Sequence, residues 1–394
     1  MSAPPARPPS AIGLYLAVVQ FFLALCWIVY VAYLPQLAQR AGIEARWVPW
    51  LLMADQLVFL ATDLAVGLAS DRAARVLGRI GRAVAAATLL SAGAFVLLPW
   101  VAPQGSPGSF VGLTLVWAVT SSALRAPPMA LLGRYVAQPS QPLLIALSSF
   151  GLGIANAVAP YVGLQLKVID PAWPFVLSAL GLAAVTLGMV AAERSLAGQA
   201  TPAAASRPAD GPWRVAPALA FIVACGLAAL AFQWHSAIAS APLVLRHAAA
   251  ADLPRLLPVF WIGFNLALVP AGWYAQRAGP LPAMFAGAIV AMSGSAAASF
   301  APSLAGLLAA QCLAGAGWAL LLCSAFGAAL KLGAGGREGL MSGALSSTLA
   351  LATLLRIGFV TGASPKPPTA AELAWLAALG FAVCAVLLRR QRSE

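Results

Sequence analysis

Four charged side chains lie inside long apolar runs: Asp55, Asp63, Arg125 and Arg356. At the centre of a membrane helix such a charge costs at least ~2.5–3.5 kcal/mol on insertion scales, so each one needs a reason. Asp63 comes eight residues before Asp71, roughly 12 Å along a helix, and its side chain is too short to reach the loop that follows. Arg125 and Arg356 sit nearer the ends of their runs, where a long side chain can also reach water. Asp55 is near the far end of its run, where a rim position is equally open to it. A carboxylate and a guanidinium in such places can pair with each other, exchange a proton with a gradient, or hold a charged solute. Polar and aromatic residues recur in the other apolar runs, Gln20, Trp27, Tyr30, Asn156, Gln233, Trp234, His235, Asn265 and Gln311, and together with Asp55 and Arg356 they are the candidates to line a solute cavity. His235 either titrates near neutral pH or packs as a hydrogen-bonded core residue. Trp27 and Trp234 either stack on a flat ligand or anchor their helices at the membrane interface. The sequence shows no Ser/His/Asp set, metal-ligand cluster or phosphate-binding loop, and it is not read as an enzyme.

The elements that must position these residues are membrane helices. The chain of 394 residues is 61% hydrophobic and 9% charged, a balance that leaves too little polar surface for a soluble domain. Its apolar runs repeatedly reach about 20 residues, the length that crosses a bilayer core. The net charge of +12 lies in the segments between runs, which excludes a basic nucleic-acid-binding domain. Cys26, Cys225, Cys312, Cys323 and Cys384 all fall in apolar segments and read as small buried hydrophobes. The first run is too long for a signal-peptide core and reads as a retained span.

Twelve spans are expected, at about 12–34, 48–69, 80–101, 109–132, 142–165, 173–192, 214–238, 254–275, 280–300, 303–329, 339–361 and 371–390. Residues 1–11 and 391–394 are short tails, and the Ala/Pro/Ser/Gly-rich stretch 193–213 is a linker between two six-helix halves, 12–192 and 214–390. The halves echo each other. Trp27 precedes Pro35 as Trp234 precedes Pro242, which puts the two tryptophans on facing helices of the two halves; Gly67-x-x-x-Asp71-Arg72 recurs as Gly272-x-x-x-Gln276-Arg277, and Ala146-Leu-Ser-Ser149 recurs as Ala344-Leu-Ser-Ser347. Lys and Arg concentrate in the loops on the side of the N-terminus, Arg72, Arg75, Arg79 and Arg82 among them, so both termini are expected in the cytoplasm of a cell (inner) membrane.

The loop after the second span reads Gly67-x-x-x-Asp71-Arg72-x5-Gly78-Arg79. Its Gly-x-x-x-Asp-Arg core resembles the loop signature of the major facilitator superfamily of transporters. The longer spacing to Gly78-Arg79, preceded by Asp63-x-x-x-Gly67, resembles the glycoside–pentoside–hexuronide:cation symporters, the melibiose-permease group, and the related sucrose transporters. The resemblance implies an all-α membrane protein of twelve helices in two pseudo-symmetric halves, with the solute site between them near the bilayer midplane. It also implies a conformational latch built from Gly67, Asp71, Arg72, Gly78, Arg79, Gly272 and Arg277. Asp71 would face a helix N-terminus or a cytoplasmic Arg, and the latch would be asymmetric because Gln276 replaces the second acid. In the melibiose-permease group an Asp at the place of Asp63 helps bind the coupling cation. Its usual partner acid is Phe59 here, and Arg125 stands where the fourth helix of that group carries another Asp. A sodium site of the family type does not fit those replacements, and an Asp63–Arg125 pair is expected in its stead, serving proton coupling, an anionic substrate or structure alone. The leading expectation is proton-coupled symport of a small polar solute, anionic or sugar-like, without a cofactor, by a monomer in the lipid bilayer. The alternative is a proton-driven exporter of amphipathic compounds.

Overall fold

The computed structural model describes residues 9–73, 79–137, 140–166, 168–199, 215–363 and 371–393, and all regular structure among them is helical. The helices are α1 (Pro9–Arg40), α2 (Val48–Ala73), α3 (Arg79–Val101), α4 (Pro107–Ser121), α5 (Ala126–Tyr135), α6 (Gln141–Leu166), α7 (Ala172–Thr186) and α8 (Met189–Gln199) in the first half. The second half holds α9 (Val215–Gln233), α10 (Ser240–Val244), α11 (Leu253–Leu256), α12 (Val259–Ala278), α13 (Pro280–Ser299), α14 (Leu304–Leu332), α15 (Glu338–Ala363) and α16 (Leu376–Ser393). A lipid core offers no partner for backbone N–H and C=O groups, so apolar runs of this length close their hydrogen bonds internally. Eleven helical segments are long and apolar enough to cross a membrane. The expected twelfth span is the helix α16, whose end carries Arg389, Arg390 and Arg392 and is correspondingly less apolar. Large apolar side chains such as Leu90, Leu177 and Leu266 are exposed along the outside of the bundle, as a protein solvated by lipid requires.

The fourth and seventh spans are interrupted near the site, and the sequence supplies the cause of each. The fourth is α4, a 3-10 turn over Ser122–Leu124, and α5, with Arg125 at the break. Pro127 and Pro128 follow at once, and a proline has no N–H to return to the preceding turn. The carbonyl of Leu124 that Pro128 leaves unpaired accepts instead from the Gln20 amide of α1, at 3.1 Å. The seventh span passes from α9 through a π-helical segment, Trp234–Ala239, into α10. There the Ser240 hydroxyl donates to the His235 carbonyl at 2.8 Å, and Pro242, which has no N–H to return to the preceding turn, follows two residues later.

Between helices, small residues let backbones meet, the usual basis of helix association in lipid. A Cβ at Gly151 of α6 would meet the Ala17 carbonyl and the Phe21 amide of α1. The halves join along α2 with α15 and along α6 with α12. Gly67 lies against the backbone of Gly339 and Gly343 in the first of these contacts, and Gly272 against Leu143 and Ala146 in the second. At the same end Gly133 of α5 lies against Leu330 and Glu338. The end of α2, the start of α3 and helix α8 are at this end too. Helix α8 runs to Gln199, past the boundary at 193 expected for the linker, because the Glu193 carboxylate is buried and accepts the Gly81 amide at 2.7 Å at the start of α3. Residues 1–8 and 200–214 lie outside the described residues.

A side chain at Gly151 is expected to force α1 and α6 apart. Overpacking of this kind costs about 1–3 kcal/mol. Gly151→Leu should lower the melting temperature of the detergent-solubilised protein. Gly93→Leu should not, since a Cβ at Gly93 meets nothing within 4 Å. Equal melting temperatures for the two variants would contradict the packing described.

Candidate functional site

The break at Pro127-Pro128 aims Arg125 toward α2. Its Nη1 lies 3.1 Å from Asp63 Oδ2, so the two charges form an ion pair between the second and fourth spans. Asp63 is fully buried, and its Oδ1 has no hydrogen-bond partner. Arg125 is 28% exposed on its side chain and borders the central cavity. Its guanidinium carbon lies 3.7 Å from the centre of the Phe59 ring, a cation–π contact on the second face of the group. Phe59 and Arg125 thus occupy the space around Asp63. In a low-dielectric interior an unpaired carboxylate or guanidinium would be costly, and the pair makes the site neutral.

The cavity above this pair has a volume of about 530 Å³ and lies between the halves. Its rings come from both halves. Trp27 stacks with Trp117 (6.1 Å between centroids), and Phe232 with Trp318 (4.3 Å). Of the residues expected there from the sequence, Gln20, Trp27, Asn156, Gln233, Arg125 and Arg356 do line it. Among the described lining residues there is no carboxylate, so Arg125 and Arg356 set the sign of the site. No carboxylate among the described residues is within ion-pair distance of Arg356, and its Nε is buried without a hydrogen-bond partner.

Six expected cavity residues lie elsewhere, each with a side-chain hydrogen bond inside its own half. The Tyr30 hydroxyl donates to Asp55 Oδ2 at 2.7 Å, and both are buried inside the first half. The Trp234 indole donates to the Leu373 carbonyl at 2.9 Å, so Trp27 and Trp234 do not face each other across the cavity. His235 Nε2 is 2.8 Å from Gln311 Oε1, and the Gln311 amide reaches Ser240 Oγ at 3.2 Å, a polar cluster within the second half. Asn265 packs against Gly153 where α6 meets α12 and donates to the Trp261 carbonyl at 2.8 Å. The sequence reading missed Gln56, Trp117, Trp261 and Trp318, which line the cavity. Gln56 adjoins Asp55, and one residue of helix phase separates the two faces.

Below the cavity the halves are sealed by a carboxylate. Asp71 Oδ1 accepts the Gly339 amide at 2.6 Å and Oδ2 accepts the Leu340 amide at 2.8 Å, capping in trans the N-terminus of α15. Those N–H groups have no partner within their own helix, and the positive end of the helix dipole favours the negative charge. Gly67, one turn earlier, allows the backbones to come close enough for this. The matching contact around Gly272 has no acid, since Gln276 stands there. Arg72, Arg79 and Arg277 are exposed at this end, and Gly78 lies outside the described residues.

An all-helical multi-pass membrane protein with two pseudo-symmetric halves around a central cavity has the form of a solute transporter. The sequence model described as Major Facilitator Superfamily matches residues 16–356, and the chain belongs to that family. It is a transporter, not an enzyme. Solved structures share its fold at low identity. The human organic anion transporter MFSD10 is 14% identical with a TM-score of 0.74, over 97% of this chain and 100% of that one. A bacterial homologue of the iron transporter ferroportin, in an outward-facing state, is 13% identical with a TM-score of 0.73, over 97% and 100%. The E. coli fucose:proton symporter FucP is 16% identical with a TM-score of 0.64, over 98% and 99%. No curated protein matches the sequence.

The ion pair has a thermodynamic signature. Removing one partner of a buried pair strands the other charge, at a cost of about 3–5 kcal/mol. Asp63→Asn and Arg125→Gln should each destabilise the purified protein, and the double variant should regain much of that loss. Losses that simply add in the double variant would show that the two side chains do not stabilise each other.

Proposed function

We propose that this chain is a proton-coupled symporter of a small organic anion, working by alternating access between its two halves, 12–192 and 214–390. The observation that carries the reading is the Asp63–Arg125 pair at the floor of a cavity with two arginines and no lining carboxylate among the described residues. An anion that reaches Arg125 competes with Asp63 for the same guanidinium. Asp63, fully buried, would then be left as a bare carboxylate, and taking a proton removes that charge. The floor is neutral before binding, as Arg⁺ with Asp⁻, and neutral after it, as Arg⁺ with the anion beside a protonated Asp. Binding of one anion is thereby tied to uptake of one proton. Sodium is disfavoured as the coupling ion, because Phe59 and Arg125 fill the places where oxygen ligands would be needed.

The concentration of Arg72, Arg79, Arg134 and Arg277 at the sealed end supports a cytoplasmic position for that end and for both termini, in a cell (inner) membrane. The state described is then open toward the outside. Membership of the glycoside–pentoside–hexuronide:cation group is supported by the stretch from Asp63 to Gly78-Arg79 alone. The two arginines favour an anion over that group's neutral sugars, and one structural neighbour is described as an organic anion transporter. A second reading, export of amphipathic compounds by proton antiport, is favoured by the aromatic lining of Trp27, Trp117, Phe232, Trp261 and Trp318.

The test is uptake of a radiolabelled alkanesulfonate, ionised at every working pH, into proteoliposomes. An inward proton gradient should drive accumulation and a sodium gradient should not. Asp63→Asn should lose gradient-driven accumulation at least tenfold while still exchanging labelled for unlabelled solute. Accumulation by Asp63→Asn at the wild-type level would place coupling elsewhere, and accumulation against an outward proton gradient would favour the exporter.

A further inference from the structure

Taking the central cavity as the anion site, as proposed above, we infer that the transported anion carries an apolar chain. A side pocket between α9 and α15 receives that chain, and Arg356 with Gln233 holds its charged head at the wall of the central cavity.

A second cavity, of about 260 Å³, lies between these helices and is lined by Leu230, Trp234, Ile238, Leu355 and Phe359, with Gln233 and Arg356 at one side. Gln233 and Arg356 also line the central cavity, so the two spaces share a wall. That wall is thin and polar. The Gln233 amide donates to Thr353 Oγ1 at 2.7 Å across the two helices, and Arg356 stands one turn further along α15. The remaining lining is apolar and open to the outside. Leu230, Leu355 and Phe359 are exposed, yet none of them borders the central cavity, so their exposed surface faces the bilayer. The side pocket therefore connects lipid, on one side, with the Arg356 guanidinium on the other.

The internal repeat accounts for the gap. Aligning Ser149 with Ser347 places Leu349 at the position of Gly151 and Arg356 at the position of Val158. In the first half, Gly151 lets α1 press backbone to backbone on α6. In the second half the same contact passes through side chains, as from Gly226 to Thr348, and leaves room between α9 and α15. The first half has a valine where the second has Arg356, so the cation belongs to the gap and not to the fold.

Arg125 is committed to Asp63, whereas Arg356 has no ion pair among the described residues and a buried Nε without a partner. A guanidinium offers five N–H donors and binds an anionic head in a fork. An apolar chain attached to that head gains area against Trp234 and Phe359, whose rings are 5.5 Å apart, without leaving the membrane. A single-chain amphiphilic anion meets both demands. Arg356 would be its first station and Arg125 the next, where it displaces Asp63.

The probe is decanesulfonate, with decanol as its uncharged analogue and ethanesulfonate as its short one. Binding is measured by calorimetry on the full chain in phosphatidylcholine nanodiscs, with no gradient present. Decanesulfonate should bind at least tenfold more tightly than decanol. Leu230→Trp, which fills the side pocket, should weaken decanesulfonate at least tenfold and leave ethanesulfonate unchanged. Arg356→Gln should weaken both sulfonates at least tenfold, with partial recovery in Arg356→Lys. Unchanged decanesulfonate binding in Leu230→Trp, or in an Arg356→Gln variant that melts like wild type, would overturn the inference. So would loss of decanesulfonate binding when phosphatidylglycerol is added to the nanodiscs, which would assign the pocket to a resident phospholipid. If decanesulfonate fails to bind while short sulfonates still accumulate with protons, the side pocket falls and proton-coupled anion symport stands. If it binds as described but no sulfonate is accumulated with protons, the reverse holds.

Discussion

A carboxylate as deeply buried as Asp63 needs a counter-charge, and the arrangement at the cavity floor follows from that constraint. Asp63 is fully buried and Arg125 is its counter-charge at 3.1 Å, with the Phe59 ring against the guanidinium. The pair needs Arg125 to turn toward α2, which the break before Pro127-Pro128 allows. The break in turn leaves a carbonyl on Leu124 that Gln20 satisfies from α1. One ion pair thus draws on three spans of the first half. The second half contributes the opposite wall, with rings and Arg356, which has no ion pair among the described residues. A floor that stays neutral when the solute anion replaces the Asp63 carboxylate only if Asp63 takes a proton is the physical basis on which the proposed coupling rests.

The two halves meet by different means at their two lateral contacts. On one side Asp71 bonds two amides at the start of α15, and Gly67 permits the approach. On the other, Gly272 packs on Leu143 and Ala146 without a charge. A carboxylate on a helix N-terminus is favourable by up to about 2 kcal/mol in partly buried settings. That is enough to bias a rocking equilibrium and weak enough to release, so the seal can open without unfolding either half.

Much of this was legible in the sequence because membrane helices leave few choices. The spans followed from run length, and the Asp63–Arg125 contact from matching both positions to one cation site in a related group. That Asp71 faces a helix N-terminus was one of two readings of an acid four residues after Gly67 at a span's end, the other being a pair with a cytoplasmic Arg. The cavity wall was less legible. Chains rich in Ala and Leu give almost no helical phase, so Asp55 was read in place of its neighbour Gln56, and Trp234 was expected opposite Trp27. His235, Asn265 and Gln311 look functional as polar residues in apolar runs, but His235 and Gln311 bond each other and Asn265 donates to a carbonyl of its own helix. The end of α8 ran past the expected linker boundary because a single buried acid, Glu193, ties it to α3. The repeat was visible, but its consequence was not: the difference between Gly151 and Leu349 gains meaning only once a gap is seen beside Arg356.

If the negative charge on Asp63 is exchanged for that of the solute, each cycle moves one proton with one monovalent anion and no net charge. Solid-supported-membrane electrophysiology on proteoliposomes under an inward proton gradient measures that charge directly, alongside uptake of the same alkanesulfonate. Uptake without an anion-dependent current is expected. A sustained current that scales with alkanesulfonate concentration would contradict the exchange at Asp63 and Arg125.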